Sequence, residues 1–212
     1  MTNVAAALRQ LRDSQDAILP DEIVLLGSRL DGKGDLNVWS DPEAANYLLR
    51  EAIAFIKVTV VPQDAVAGAV IGAPWLDRLD RECKTSWAAG HLQELRRFAW
   101  LAGRLQRGPW PEEDGIQVRG FRPWDVAAAA VAVFPDAGLF RHRACRHAQR
   151  NETRISVGGP DVPCSKAATD GSLPVHVLTD LDAPRLLDLM LEVLCQVQSA
   201  ASTGRLAAGV EL

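Results

Sequence analysis

The sequence predicts an α/β fold, a mostly parallel sheet flanked by helices, and three observations predict it. "EIVLLGS" (Glu22 to Ser28) is a continuous apolar run ending in glycine, the pattern of a strand buried on both faces. "AFIKVTVV" (Ala54 to Val61) is a second, β-branched-rich run. Between them lies a helix with a clear start. Strand, helix and strand in such close succession form a βαβ unit, which requires a parallel pair joined by a crossover.

The elements follow in order. Ala5 to Arg12 reads as a short helix and Pro20-Asp21 as a break. After the first strand, Arg29 to Ser40 is a polar loop containing "DLN" (Asp35 to Asn37). Asp41 then caps a helix, Pro42 fits its first position, and Glu43 favours its positive end. This helix runs to about Ala52, and Pro62 ends the second strand. Short helical stretches are expected at Ala65–Ile71 and Pro74–Glu82, then a longer helix over Thr85–Gln106. The longer helix carries an apolar stripe of Ala88, Leu92, Leu95, Ala99 and Ala102, with Phe98 and Trp100 off it. Arg107 to Pro123 is a Pro- and Gly-rich connector with at most a short strand. "WDVAAAAVAVFP" is a small-residue helix. Phe140–Gln149 and Thr153–Val157 suit a hairpin with Asn151 in its turn. "PVHVLTDLD" is a further strand, and Pro184–Ser199 a closing helix. The expectation is one α/β domain over residues 1–212.

Composition narrows the function classes. The 212 residues are 48% hydrophobic and 24% charged with a net charge of −4, so nucleic acid is not the expected partner. Arg141, Arg143, Arg146 and Arg150 suit a solvated face better than a phosphate track. No apolar run is long enough to cross a bilayer, and the early charge in "MTNVAAALRQLRD" does not suit a signal peptide. A cytoplasmic chain without membrane partners is expected. Cys83, Cys145, Cys164 and Cys195 are scattered without a C-x-x-C, which suggests reduced thiols.

In an open parallel sheet, ligands sit beyond the carboxyl ends of the strands. The loop carrying Asp35 and Asn37 leaves such an end, and a carboxylate beside an amide can hold a polyol such as ribose. Both residue types also satisfy ordinary turns. Asp125 follows Trp124 at a helix start, where an acidic residue also suits a capping role. His142, Cys145 and His147 raise the question of zinc. On a strand, however, His142 and His147 fall on opposite faces, and neither matches a usual ligand spacing. His91 and His176 read as single core or surface histidines. G-x-S-x-G, Walker and G-x-G-x-x-G motifs are absent from the sequence.

These stretches together resemble the later two-thirds of the inosine–uridine-preferring nucleoside hydrolase family. "MTNVAAAL" resembles its "PLTNLA" helix start, and "EIVLLGSRLDGKGDLNVWSDPEAANYLL" resembles "IVxMGG…GN…AEFNxxxDPEAA". "FRPWDVAAAAVAVFPDAGLF" resembles "HDPLAVAxxLDPxLF", and "PVHVLTDLDAPRLLDLMLEVL" the family's last strand and helix. The resemblance implies a Rossmann-like sheet with a calcium-held ribose at its carboxyl edge. It implies that Asn37 binds the ribose, that Asp35 stands where a glutamate holds sugar hydroxyls, and that Leu36 replaces an aromatic. It makes Asp125 a catalytic, calcium-binding aspartate and Thr2 a backbone-carbonyl ligand.

The departures are equally specific. The family opens with a strand and a "DxDxxxDD" cluster, and neither that segment nor the strands after it match anything in these residues. Trp124 occupies the position of the leaving-group histidine, and the loop before "DLN" is shortened. Calcium takes about 6–8 oxygen ligands, so the chain alone is not expected to hold it. Three readings stay open: an enzyme completed by a chain bearing the missing aspartates, a non-catalytic regulatory or scaffolding relative, or a sequence that starts inside a family motif. Lacking the first strands, the sheet is expected to leave an apolar edge that drives homo-oligomerisation or pairing with a complementing subunit.

Overall fold

Two compact units, each with its own core, organise the computed structural model: Met1–Gly68 with Trp124–Asp182, and Ala69–Pro123 with Ala183–Leu212. The structure describes residues 1–14, 18–30, 35–83, 86–105, 120–151, 154–158 and 174–202.

The first unit is built on a five-stranded sheet in the order β1-β2-β7-β5-β6. Its strands are β1 (Glu22–Leu26), β2 (Lys57–Val61), β5 (Phe140–Asn151), β6 (Arg154–Gly158) and β7 (Pro174–Leu181). β1, β2 and β7 are parallel, with Val24 opposite Thr59 and Thr59 opposite His176. β5 runs antiparallel to both β7 and β6. The α/β expectation and the βαβ start therefore hold, with an antiparallel hairpin added at one side. Asn151 pairs with Arg154, so it closes the ladder rather than sitting in the turn.

β1 corrects one expectation. It is only half-buried along most of its length, because it lies at an edge of the sheet, whereas Val58, Thr59, Val60 and Val61 of β2 are buried. An apolar run identifies a strand but not its rank in the sheet. The core of this unit joins Leu25, Val58, Val60, Val175 and Val177 to residues of α1 (Thr2–Asp13) and α3 (Pro42–Asn46). After α3 the chain continues as a π-helical turn (Tyr47–Glu51) and a 3₁₀ turn (Ala52–Ala54), which together fill the expected helix to Ala52. α6 (Trp124–Val133) packs on β1 and buries Ala127, Ala130 and Val131, small side chains that let it approach closely.

The second unit contains β3 (Ile71–Gly72) paired antiparallel with β4 (Gly120–Phe121). Its helices are α4 (Ala73–Glu82), α5 (Ser86–Leu105) and α7 (Ala183–Ser202). Ile71, Trp75, Leu76, Leu79, Cys83, Ala99 and Leu191 form its core, with Leu92 and Leu95 of the α5 stripe packed against it. The off-stripe Phe98 lies edge-on to Phe121 at 4.8 Å between ring centroids yet stays half-exposed, as does Trp100. Trp75 Nε1 donates to the Leu187 carbonyl at 3.1 Å, and Arg78 bridges Glu82 and Asp188.

The scattered-thiol expectation is also corrected. Cys83 at the end of α4 and Cys195 in α7 are joined in a disulfide, with Cα atoms 5.2 Å apart across a separation of 112 residues. Packing of the two helices brings them together, which their spacing in sequence does not indicate.

Gly120 permits the β3–β4 pairing. A Cβ there would lie 2.5 Å from the Ile71 carbonyl oxygen and 2.9 Å from its carbon, both immobile backbone atoms. Gly120→Ala is therefore expected to lower stability by about 1–3 kcal/mol through overpacking. Chemical denaturation checks this, and a variant as stable as the parent would contradict it.

Candidate functional site at the carboxyl end of β1

The chain leaves β1 through Gly27 and Ser28, and backbone bonds tie this exit to the end of β2. Gly27 N–H donates to the Val61 carbonyl at 3.1 Å, and Gln63 N–H to the Ser28 carbonyl at 3.2 Å. Leu30 N–H donates to both carboxylate oxygens of Asp64, each at 2.9 Å. Ser28 has φ +66°, a left-handed conformation that costs a non-glycine residue about 1–2 kcal/mol. Its buried hydroxyl has no hydrogen-bond partner among the described residues. Strain and an unpartnered polar atom coincide at one residue.

"DLN" is not simply a loop. Asp35 is the N-cap of a short helix, α2 (Leu36–Ser40), and its Oδ1 accepts from Val38 N–H at 3.1 Å. Asp35 is buried, with Oδ2 lacking a hydrogen-bond partner among the described residues. Burial raises its carboxyl above the ordinary aspartate value, while the backbone N–H groups of Val38, Ser28 and Asn37 pull the other way. The Gly27 hydrogen faces this carboxylate: a Cβ there would meet Asp35 Oδ1 at 3.6 Å and Met1 Cε at 2.8 Å.

Asn37 reaches back along α2. Its Nδ2 donates to the Leu26 carbonyl at 3.2 Å, which fixes the amide and leaves Oδ1 as an acceptor. Leu36 and Trp39 are exposed. Next in the chain, Asp41 caps α3 as its sequence position suggests, with Oδ1 accepting from Ala44 N–H at 3.0 Å. Its Oδ2 accepts from Thr2 Oγ1 at 2.5 Å. The Thr2 hydroxyl, followed by Ala44 N–H, lowers the Asp41 carboxyl below its ordinary value. Thr2 opens α1, so its carbonyl belongs to the first helical turn.

Trp124 and Asp125 open α6. The Trp124 indole Nε1 is buried without a hydrogen-bond partner among the described residues, and Asp125 is exposed in the first turn. The structure thus gathers Asp35 and Asn37 at the end of β1, links Thr2 to Asp41, and packs α6 on β1. Among the described residues no hydrogen bond joins Asp125 to Asp35 or Asn37. Nor does any group of three or more His, Cys, Asp or Glu stand ready to hold a metal ion.

Sequence reasoning passed over Ser28, Asp64 and Tyr47. Tyr47 has a buried hydroxyl without a hydrogen-bond partner among the described residues, and the Arg9 guanidinium lies 4.5 Å from its ring centroid. The "GS" that follows an apolar strand was the one signal available for Ser28.

Comparison with known proteins adds a second kind of observation. The model of the inosine-uridine preferring nucleoside hydrolase family matches residues 1–188. A purine-preferring ribonucleoside hydrolase from Gardnerella vaginalis has a similar fold, with a TM-score of 0.67 and 22% identity. That match covers 93% of this chain and 58% of the other. An inosine-uridine preferring nucleoside hydrolase from Bacillus anthracis gives a TM-score of 0.61 at 19% identity, over 92% of this chain and 57% of the other. A plant nucleoside hydrolase gives 0.63 at 18% identity, over 92% and 59%. At these identities the likeness is one of fold, and the chain spans less than two-thirds of each structure's length. No curated protein sequence matches the chain.

Proposed function

Because the chain belongs to the inosine-uridine preferring nucleoside hydrolase family, we propose that it supplies the ribose-facing part of an N-ribohydrolase site. In this reading a complementing chain, carrying the calcium-binding aspartates, is needed to cleave the N-glycosidic bond. The observation that carries the reading is the Asn37 amide, held by the Leu26 carbonyl at the carboxyl end of β1 with Oδ1 left to accept from a sugar hydroxyl. Asp35 holds the helix that bears Asn37 and offers Oδ2 as a further acceptor. Asp125, exposed at the start of α6, is the carboxylate left for catalysis or metal binding.

The described residues do not fit calcium by themselves. One exposed carboxylate and the helical carbonyl of Thr2 fall far short of the roughly 6–8 oxygens the ion takes. No catalytic step through the metal is assigned to these residues. A cytoplasmic location belongs to the same proposal, and there the Cys83–Cys195 disulfide meets a reducing thiol pool.

A second reading has its own support. Trp124 stands where the resemblance places a leaving-group acid, and an indole N–H donates a hydrogen bond but cannot deliver a proton. Together with the exposed Phe98, Trp100 and Leu101 of α5, this favours a non-catalytic subunit that acts through contacts with another protein or a second copy.

Saturation-transfer NMR with uridine and 2′,3′-dideoxyuridine separates the two readings. A ribose site retains uridine over the dideoxy analogue and loses that preference in Asn37→Ala. Equal signals from both nucleosides, or none, would leave the non-catalytic reading.

A further inference from the structure

The two sides of α5 differ in character. Toward the core of its unit the helix turns Leu92, Leu95 and Ala99, and Arg96 beside them reaches Asp77 and Asp80 of α4. At about 100° per residue, Gly90, Glu94, Arg97 and Leu101 fall within an arc of about 60° on the opposite side. All four are exposed. Their spacing of four, three and four residues is that of a seam along which another helix packs. Phe98 and Trp100, 54% and 62% exposed, flank the seam, one on each side.

The fold around Gly90 does not require glycine. Glycine is a poor helix former, and inside a helix it serves where something approaches the backbone closely. Within this chain a Cβ at Gly90 would meet no atom within 4 Å. Glu94 and Arg97 are exposed too, and neither is in an ion pair among the described residues, although Arg96 between them is. The seam thus carries one gap, one apolar side chain and two opposite charges that the monomer leaves unused.

A second α5 laid antiparallel along the seam matches all four positions at once. With the two-fold axis between residues 95 and 96, residues equally far from it on either side meet across the interface. Gly90 then faces the partner's Leu101, and Glu94 faces the partner's Arg97, and symmetry repeats both contacts. The leucine fills the space over the glycine, where two backbones come close, and the charges form two opposite-sign pairs. A parallel pairing would instead set Glu94 on Glu94 and Arg97 on Arg97, so like charges select the antiparallel arrangement.

We propose that the outer face of α5 is the interface of a symmetric homodimer, its two helices antiparallel, with Gly90–Leu101 and Glu94–Arg97 as the matching pairs. The non-catalytic reading leaves this surface to another protein or a second copy; the pairing commits it to a second copy, whether or not a nucleoside binds. One pair of 20-residue helices is a small interface, so dissociation in the micromolar range is expected.

Sedimentation velocity of the full chain over a concentration series tests the proposal, and a monomer–dimer equilibrium is the expected result. Leu101→Asp sets a carboxylate against the partner helix, while Glu94→Arg and Arg97→Glu each place like charges opposite one another. Each substitution lies on the exposed face and should weaken association by at least roughly tenfold. An equimolar mixture of the Glu94→Arg and Arg97→Glu chains restores both opposite-charge pairs and should dimerise as the parent does. That recovery also establishes that both variants are folded, and circular dichroism does so for Leu101→Asp. A chain that stays monomeric throughout, a dimer indifferent to all three substitutions, or folded charge variants that fail to associate when mixed would each overturn the assignment. The uridine preference of the parent is read separately by NMR, so failure of the ribose reading leaves these outcomes untouched.

Discussion

Removing the Cys83–Cys195 disulfide is expected to lower the stability of the chain by about 4–5 kcal/mol, the largest effect of any single covalent change in it. The physical basis is the length of the closed loop. With the cysteines 112 positions apart in sequence, the cross-link removes a large share of the unfolded chain's conformational freedom. In the native state it joins two helices that Trp75, Leu79 and Leu191 already hold together, so its loss opens little space. Denaturant unfolding of Cys83→Ala/Cys195→Ala, and of the parent chain with reductant, should show the same large fall in midpoint. Midpoints unchanged by either treatment would contradict the entropic account.

Nucleoside turnover is the second large expected effect, and here the expected result is its loss. Residues 1–212 alone should neither bind calcium tightly nor hydrolyse inosine or uridine, because among the described residues no cluster of carboxylates stands ready to hold the ion and Asp125 is the one carboxylate that the family resemblance matches to a calcium ligand. Without a bound divalent ion no water is activated at neutral pH and little negative charge faces the oxocarbenium-like transition state. Calcium calorimetry and a reducing-sugar assay decide this. Micromolar calcium affinity, or turnover abolished by Asp125→Asn, would refute it. Activity that appears only when a chain with the aspartate cluster is added would instead support the complementation reading.

The elements with strong local signals were legible in the sequence. Both apolar strand runs, the Asp41-Pro42 helix start and the closing helix are present near their expected bounds, because capping chemistry and apolar periodicity act within a few residues. Three kinds of feature were not legible. β3 and β4 are two-residue strands whose pairing rests on a backbone contact at Gly120. The rank of β1 at the sheet edge depends on which strands pair, not on its own composition. The site contacts and the disulfide depend on distant partners: the Asn37 amide on a strand carbonyl, Leu30 on Asp64, and Cys83 on Cys195. Asp35 shows both sides of this. Its capping capacity follows from residue type, while its burial and unpartnered oxygen are properties of the fold.

The edge position of β1 has a consequence for how its amides exchange with solvent. Gly27 N–H points inward to β2, so alternation along the strand turns the N–H groups of Val24 and Leu26 outward, on the side where the Leu26 carbonyl takes the Asn37 amide. Among the described residues no strand pairs with that outer side. Deuterium should therefore enter β1 at every second position, quickly at Val24 and Leu26 and slowly at Ile23 and Leu25. A partner that added a strand along this edge would erase the alternation, so the labelling pattern of one five-residue segment reports whether the sheet has been extended.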